Sequence, residues 1–193
     1  PTTDALRAEG RAAYKAVDDA GVGIKPEAFA EWRKGLVDTL RGRGMDELPG
    51  QGSLTPMSAR ASQIANEMET AMAPEASAAL PFRALDQLRR HAGTASGNMA
   101  NKTDSAVGSE MIAQIDDFVN RLGPDEIAYG DVETLQTMLP KARDVWARMS
   151  RSQTIDDAMD ASENYLSGGS SGIRNQFSRI LKNPKLARGF SDA

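Results

Sequence analysis

Apolar residues recur at intervals of three and four positions along almost the whole chain, and this spacing limits the fold more than any other feature. Residues three or four positions apart share one face of an α-helix, whereas a half-buried strand alternates apolar and polar residues. No sustained alternation of that kind occurs in the sequence. The pattern therefore predicts an all-α protein, a multi-helix bundle of about six to eight helices.

Two segments carry the clearest helical stripes. The first follows the break GVGIKP and contains Phe29, Trp32, Leu36, Val37 and Leu40. The second ends at Gly123-Pro124 and contains Val107, Met111, Ile115, Phe118, Val119 and Leu122. Weaker stripes predict helices over 4–20, 55–73 and from 81 to about 92, with a glycine-rich loop over 42–55. The segment GTASGNMANKT (93–103) fits a loop and a weak helix equally well, because Ala and Met favour a helix while Gly and Asn oppose it.

The last third of the chain has its own pattern. A near-heptad stripe runs from Asp131 across Pro140 to as far as Leu166. Proline interrupts helical hydrogen bonding, so we expect a long helix kinked at Pro140 or a new helix that begins there. The Gly/Ser run SGGSSG (167–172) predicts a hinge, and the stripe after it predicts a C-terminal amphipathic helix that ends at Asn183-Pro184. We therefore expect a helical bundle over 1–130, and over 131–193 a long helical region, the hinge and the last helix.

Charge separates the end of the chain from the rest. The net charge is −4, yet residues 1–167 hold 18 basic against 26 acidic residues, whereas 168–193 hold five basic and one acidic. An acidic body argues against nucleic-acid binding by the whole chain, while the basic end is suited to phosphate or to an acidic surface. The candidate contact residues for nucleic acid or a partner are Arg174, Arg179, Lys182, Lys185 and Arg188. The interspersed Phe177 and Phe190 fit packing better than base stacking.

Motifs for catalysis and for cofactor binding are missing from the sequence. The chain has no cysteine, which excludes disulfides, thiolate metal ligands and a cysteine nucleophile. Its single histidine, His91, lies beside two arginines near a predicted helix end, and no Gly-x-Ser-x-Gly elbow accompanies it. The Gly/Ser run lacks the Gly-Lys-Ser/Thr ending and the preceding strand of a phosphate loop. We therefore predict no catalytic residue, no metal and no cofactor, and interpret the chain as a non-enzyme.

Acidic doublets at 18–19, 116–117 and 156–157 are the remaining candidates for chemistry. Adjacent residues on a helix point about 100° apart, so each doublet is better placed on a solvated face than converging on one site. The Asp-x-Asp-x-Asp-Gly pattern of calcium loops is absent as well. The doublets therefore predict solvent-exposed helix surfaces.

Targeting signals are also missing. No apolar run approaches the ~20 residues of a membrane-spanning helix, and the first residues, PTTDALRAEG, lack the apolar core of a signal peptide. The sequence as given thus predicts neither a transmembrane nor a signal-peptide-bearing chain. Its start at Pro1 and its end in mid-pattern suggest a fragment of a longer protein, although removal of a methionine before proline would explain the first residue equally well.

Two blocks near the end of the sequence resemble a helical segment of large virion-associated proteins of tailed phages and prophages. The first block is PKARDVWARMSRSQTIDDAMDASE, carried by Ala142-Arg143-Asp144 and Trp146-Ala147-Arg148. The second is SGGSSGIRNQFSRILKNPKLARGFS, carried by Lys182-Asn183-Pro184 and Arg188-Gly189-Phe190-Ser191. Together they cover about the last quarter of the chain. Members of this family are internal particle proteins often assigned to DNA ejection or transfer.

The resemblance implies a structural role, with no catalytic residues to carry over. The expected partners are other virion proteins or further copies of the chain, and the expected location is the virion interior or the bacterial cytoplasm. A hinge at 167–172 would let the last helix dock in alternative positions. Two alternatives remain: a nucleic-acid-binding or regulatory helical module that uses the basic C-terminus, and a domain associated with a cell-wall hydrolase, although no transglycosylase-like motif is present.

Overall fold

The computed structural model describes residues 2–45, 79–163 and 169–183, together with residues 59, 62, 63, 65, 66 and 70. Within the three continuous ranges the chain forms six helices and three very short strands, and the six separate residues between 59 and 70 are also helical. The helices are α1 (Thr3–Asp19), α2 (Pro26–Gly42), α3 (Phe82–Ser96), α4 (Lys102–Arg121), α5 (Val132–Glu163) and α6 (Gly169–Lys182). The strands are β1 (Gly23–Ile24), β2 (Leu80–Pro81) and β3 (Ile127–Tyr129). The predicted all-α bundle is confirmed.

Capping residues determine where several helices begin. Pro26 occupies the first turn of α2, where its fixed backbone angle suits a helix and its missing N–H has no intrahelical partner to lose. The side chain of Asn101 accepts a hydrogen bond from the Asp104 N–H at 2.9 Å and so caps α4. Asp131 precedes α5 and accepts hydrogen bonds from the Thr134 N–H at 2.9 Å and the Thr134 hydroxyl at 2.6 Å. Asn101 and Asp131 each satisfy an N–H group that the helix itself leaves unpaired.

The chain divides into two compact units. The central unit comprises Asp18–Gln136, and the terminal unit comprises Pro1–Val17 together with Thr137–Ala193. Residues 1–17 thus group with the C-terminal part of the chain, an arrangement that local periodicity does not reveal.

The three strands of the central unit form a small antiparallel sheet in the order β2-β1-β3. Gly130 follows β3 with φ at 96°, and a Cβ there would lie 2.5 Å from the Gly21 carbonyl oxygen. Only glycine tolerates both this backbone angle and so close an approach. A hydrogen bond of 2.9 Å from the Asp131 N–H to the Ala20 carbonyl then ties the start of α5 to the end of α1.

Aromatic residues connect α2 to α4 in the core of the central unit. Trp32 stacks on Phe118 with ring centroids 5.6 Å apart, and the Phe29 ring lies 5.2 Å from that of Trp32. The indole N–H of Trp32 donates to the Gln114 carbonyl at 3.1 Å, so the buried donor is satisfied. These contacts position the stripes of both helices that the sequence predicted.

Helices α3 and α4 pack with their backbones in close contact. A Cβ at Gly108 would lie 2.7 Å from the Ala92 carbonyl oxygen and would also overlap the Ser96 backbone nitrogen. Across the same interface, the Arg89 guanidinium donates to both carboxylate oxygens of Asp116, at 2.7 and 2.8 Å. This bidentate ion pair opposes sliding of the two helices along their axes.

The terminal unit pairs the start of α1 with α5. The Thr3 hydroxyl donates to Asp156 at 2.5 Å, and Arg7 donates to the Gln153 side chain at 3.0 Å. Farther along α1, Tyr14 meets Trp146 edge-on with ring centroids 6.3 Å apart. The partners in α5 occur in reverse order, so the two helices run antiparallel.

Several predicted boundaries need correction. Residues 169–172 belong to α6, so the predicted hinge at 167–172 extends four residues too far toward the C-terminus. Ser and Gly are tolerated in the first turn of a helix, because the N–H groups of that turn have no intrahelical partner. Residues 167–168 lie outside the described residues. Helix α5 runs through Pro140 without beginning anew. Residues 93–96 are helical and 97–101 form a turn. Of the loop predicted over 42–55, residue 42 belongs to α2, residues 43–45 are non-helical and the rest lies outside the described residues. The six described residues of the helix predicted over 55–73 are helical.

Two glycine substitutions test the α3–α4 contact. Gly108→Ala should lower the free energy of unfolding by about 1 to 3 kcal/mol, because its methyl group meets backbone atoms that cannot move independently. Gly93→Ala, on the exposed side of α3 with no atom within 4 Å, should instead raise it by up to about 1 kcal/mol. Urea unfolding of both variants measures the difference, and equal effects would refute this packing.

The cap of α5 predicts a pH dependence. The hydrogen bond from the Thr134 hydroxyl, followed by that from its N–H, lowers the pKa of Asp131 below its ordinary value of 3.8. The folded state therefore favours the carboxylate, whose stabilising effect is complete above pH 3.8 and is lost as the pH falls through the folded-state pKa. Asp131→Asn should thus be less stable than the natural protein at about pH 7.

Urea unfolding between about pH 7 and pH 3 measures this difference. Asparagine keeps one oxygen to accept from the Thr134 N–H, but it loses the charge and the oxygen that accepts from the Thr134 hydroxyl. The difference in stability between the two proteins should start to narrow as the pH falls below 3.8. A gap that stays constant over the whole range would show that the Asp131 charge contributes nothing.

Candidate interaction site

The last helix, α6, carries three of the five basic residues predicted as contacts. Arg174, Arg179 and Lys182 are all exposed on it. Lys185 and Arg188 lie outside the described residues. At 100° per residue the three described cations span about 140° of the helix circumference, so they cover a broad face and not a single line.

The apolar stripe of α6 is only partly buried. Ile180 is 6% exposed, whereas the neighbouring Leu181 is 71% exposed and Phe177 is 39% exposed. Phe177 and Leu181 are four residues apart and therefore lie next to each other on the helix surface. The sequence predicted one stripe, and the structure divides it into a buried residue and an exposed apolar pair.

A groove of about 310 Å³ lies between α5 and α6 within the terminal unit. Its apolar residues are Ala158 and Ile180, which are both buried. Its polar lining consists of Thr154, Asp157, Gln176, Arg179 and Asn183. We call this feature the α5–α6 groove. It brings Arg179, one of the predicted contacts, together with polar residues that the sequence analysis did not select.

Hydrogen-bonding groups of the α5–α6 groove differ in how far they are satisfied. The Thr154 hydroxyl donates to the Ser150 carbonyl at 2.9 Å, and Asp157 accepts from the Gln153 amide at 2.8 Å. Gln176 is 8% exposed, and no hydrogen bond engages its side chain within the described residues. Nor does an acidic side chain there pair with the Arg179 guanidinium. The groove thus has unused hydrogen-bond donors and acceptors beside an apolar floor.

A second groove, of about 380 Å³, lies between α2 and α4 in the central unit. Trp32 and Phe118 contribute to its lining, and the charged residues are Glu31, Lys34, Asp38, Arg121 and Glu126. Three of these are already engaged: Arg121 pairs with Asp117 at 2.8 Å, Asp38 pairs with Arg41 at 3.4 Å, and Glu126 accepts from the Gly123 N–H at 2.6 Å. Because the groove is lined by charges of both signs, its electrostatics favour neither an anionic nor a cationic ligand.

The acidic doublets lie on exposed helix surfaces, as predicted, except for the half-buried Asp116. In the second doublet Asp116 pairs with Arg89 across the α3–α4 interface. In the third, Asp156 accepts from Thr3 of α1. Among the residues that the structure describes, no group of three or more histidine or acidic side chains is arranged to hold a metal ion. His91 is exposed on α3, as expected for a surface histidine.

Buried carboxylates are engaged in structural contacts. Glu110 is 8% exposed, pairs with Arg43 at 2.5 Å and accepts from the Gln114 amide at 3.0 Å. Asp86 pairs with Arg90 one helical turn away at 2.8 Å. Neither residue lines the two grooves described above.

Sequence reasoning selected the α6 cations and missed the groove residues. Gln176 occurs four residues before Ile180, on the side of α6 that packs on α5. A polar amide four residues from a buried apolar residue, on the same face of a helix, is the sequence feature that indicates such a site. Gln176 was not selected from the sequence because glutamine is usually exposed, and because the sequence of α6 alone does not show which helix packs against it.

None of the helices in the described ranges is both long enough and apolar enough to cross a membrane. Comparison of this chain with protein-family models, with curated proteins and with solved structures gives no match.

Neighbouring substitutions in α6 test the placement of its apolar residues. Ile180→Ala should lower the free energy of unfolding by about 2 to 4 kcal/mol, because it removes buried methyl and methylene groups. Leu181→Ala should change it by less than about 0.5 kcal/mol, because that side chain is already in water and alanine is an equally good helix former. Urea denaturation followed by circular dichroism distinguishes them, and a reversed order would place the opposite face of α6 against α5.

Proposed function

We propose that this chain is a non-enzymatic structural and interaction domain of a phage or prophage virion-associated protein with a role in DNA ejection. In this proposal α6 binds another virion protein or a further copy of the chain. The observation that carries the proposal is the exposed pair Phe177 and Leu181 on a helix whose described charged side chains are all basic.

Burial of this pair supplies the driving force for association. Removing apolar surface from water contributes roughly 25 cal/mol per Å², and an amphipathic helix presents such surface as a continuous strip. The surrounding Arg174, Arg179 and Lys182 add long-range attraction toward an acidic partner and raise the rate of encounter. The combination favours a protein surface that is apolar at its centre and acidic at its edge.

The placement in a virion protein rests on the resemblance of the two sequence blocks. The first block, residues 140–163, coincides with the greater part of α5, and the second begins just before α6. The resemblance therefore covers the two helices that form the α5–α6 groove and present the exposed pair. This overlap connects the family expectation to a particular surface of the molecule.

Nucleic-acid binding is the second candidate function, favoured by the three exposed cations of α6. It predicts an affinity for duplex DNA that falls steeply with salt, because phosphate contacts release bound counterions. The broad distribution of the cations around α6 and the net negative charge of residues 1–167 favour a protein partner instead.

Particle composition tests the proposal. Virus particles induced from a culture of an organism that encodes this chain should contain its peptides in stoichiometric amounts, as measured by quantitative mass spectrometry after gradient purification. Replacing both Phe177 and Leu181 by serine should lower the amount in particles by about tenfold, because the apolar contact is lost.

The matched control is Met99→Ser, which removes a 48% exposed apolar side chain from the turn between α3 and α4. This variant should enter particles normally. Peptides found only in the soluble fraction would contradict the virion assignment, and equal losses for both surfaces would contradict the role of α6.

A further inference from the structure

We propose that the α5–α6 groove binds an acidic peptide segment of the partner, with Arg179 holding a side-chain carboxylate and Gln176 holding a backbone amide. This inference rests on the proposed role as a protein-interaction domain, and it names the chemistry that the partner presents. It concerns the groove side of α6, whereas the exposed pair lies on another part of the helix surface.

Gln176 supplies the first reason. More than nine-tenths of its surface is buried, it lines the groove, and its side chain has no hydrogen-bond partner among the described residues. The side-chain N and O atoms of Gln176 are not among the buried atoms that lack a partner in the described residues, so they are accessible from the groove. A ligand there can replace water as their hydrogen-bond partner. A peptide unit offers one N–H donor and one C=O acceptor, which match the C=O and NH₂ groups of the glutamine side chain.

Arg179 supplies the second reason. Its guanidinium carries five N–H donors, lines the same groove and pairs with no carboxylate in the described part of the chain. A carboxylate is the acceptor whose geometry fits a guanidinium in two parallel hydrogen bonds. Because residues 176 and 179 are neighbours one turn apart on α6, with Cβ atoms about 5 to 6 Å apart, one glutamate residue of a ligand can reach both with its backbone and its side chain.

The opposite wall and the floor of the groove fit the same ligand. Asp157 accepts from Gln153 through Oδ1, which leaves Oδ2 to accept a second backbone N–H of the peptide. Ala158 and Ile180 provide an apolar floor for the methylene groups of a glutamate side chain.

Charge decides between an acidic and a neutral segment. Arg174 and Lys182 lie on the same helix as Arg179, and residues 168–193 hold five basic residues against one acidic residue. The α6 wall therefore attracts a negatively charged segment, and Asp157 on the α5 wall repels its carboxylate toward Arg179.

Peptide titration of the purified full chain tests the inference. The probe is the peptide Gly-Ala-Glu-Ala-Gly with acetylated and amidated ends, and its comparison is the same peptide with glutamine in place of glutamate. Both are titrated into ¹⁵N-labelled protein and followed by NMR. The glutamate peptide should shift the Gln176 side-chain amide signals and bind at least about tenfold more tightly, because only it forms charge-assisted hydrogen bonds with Arg179.

Three variants locate the binding site. Gln176→Leu and Arg179→Gln should each weaken binding of the glutamate peptide by about tenfold, since each removes a hydrogen-bonding group of the groove. Arg174→Gln removes the same charge from another side of α6 and should weaken binding by less than about twofold. Circular dichroism and thermal unfolding of each variant establish that it is folded.

Two results would overturn the inference. One is the absence of any preference for the glutamate peptide in the NMR titration. The other is an equal loss in Arg174→Gln and Arg179→Gln with no loss in Gln176→Leu, which would mean that the peptide contacts exposed cations and that Gln176 only packs. The particle experiment fails or succeeds independently: peptide binding without incorporation into particles would remove the virion assignment and leave the groove assignment intact.

Discussion

The close backbone contact of α3 and α4 at Gly108 sets the geometry of the central unit. Because no side chain separates the two helices at this point, their buried stripes meet at short range, and the paired Arg89 and Asp116 prevent one helix from sliding past the other. With α4 fixed in this way, Phe118 is held where Trp32 of α2 can stack on it. The orientation of three helices thus depends on one position that lacks a side chain.

Local periodicity was sufficient for the helices of the fold but not for its other parts. The four residues predicted to form the α3 stripe, Phe82, Leu85, Leu88 and Ala92, are all buried, because the 3.6-residue period follows from helix geometry alone. The strands escaped prediction because two or three residues cannot show a period. The grouping of residues 1–17 with 137–193 also escaped prediction, since it depends on contacts between segments more than 100 residues apart, such as Thr3 with Ser152.

The sequence predicted the positive charge of the candidate site but not which residues of α6 are buried against α5. Composition alone marks the end of the chain as basic, and three of the predicted cations are exposed on α6 as a solvated face requires. The sequence could not distinguish Ile180 from Leu181, because their difference in exposure depends on which side of α6 packs against α5. Gln176 was missed for the same reason. The burial of a polar residue depends on the residues that pack around it, and around Gln176 these belong to another helix.

The pairing of α1 with α5 has a consequence for synthesis of the chain. Thr3 contacts residues 152 and 156, so the ribosome must produce almost the whole described chain before the apolar side of α1 can meet its partner. The central unit, by contrast, is complete once residue 136 has emerged. During the interval α1 carries an uncovered apolar face, which makes this segment a contact for chaperones and a point where premature association can begin.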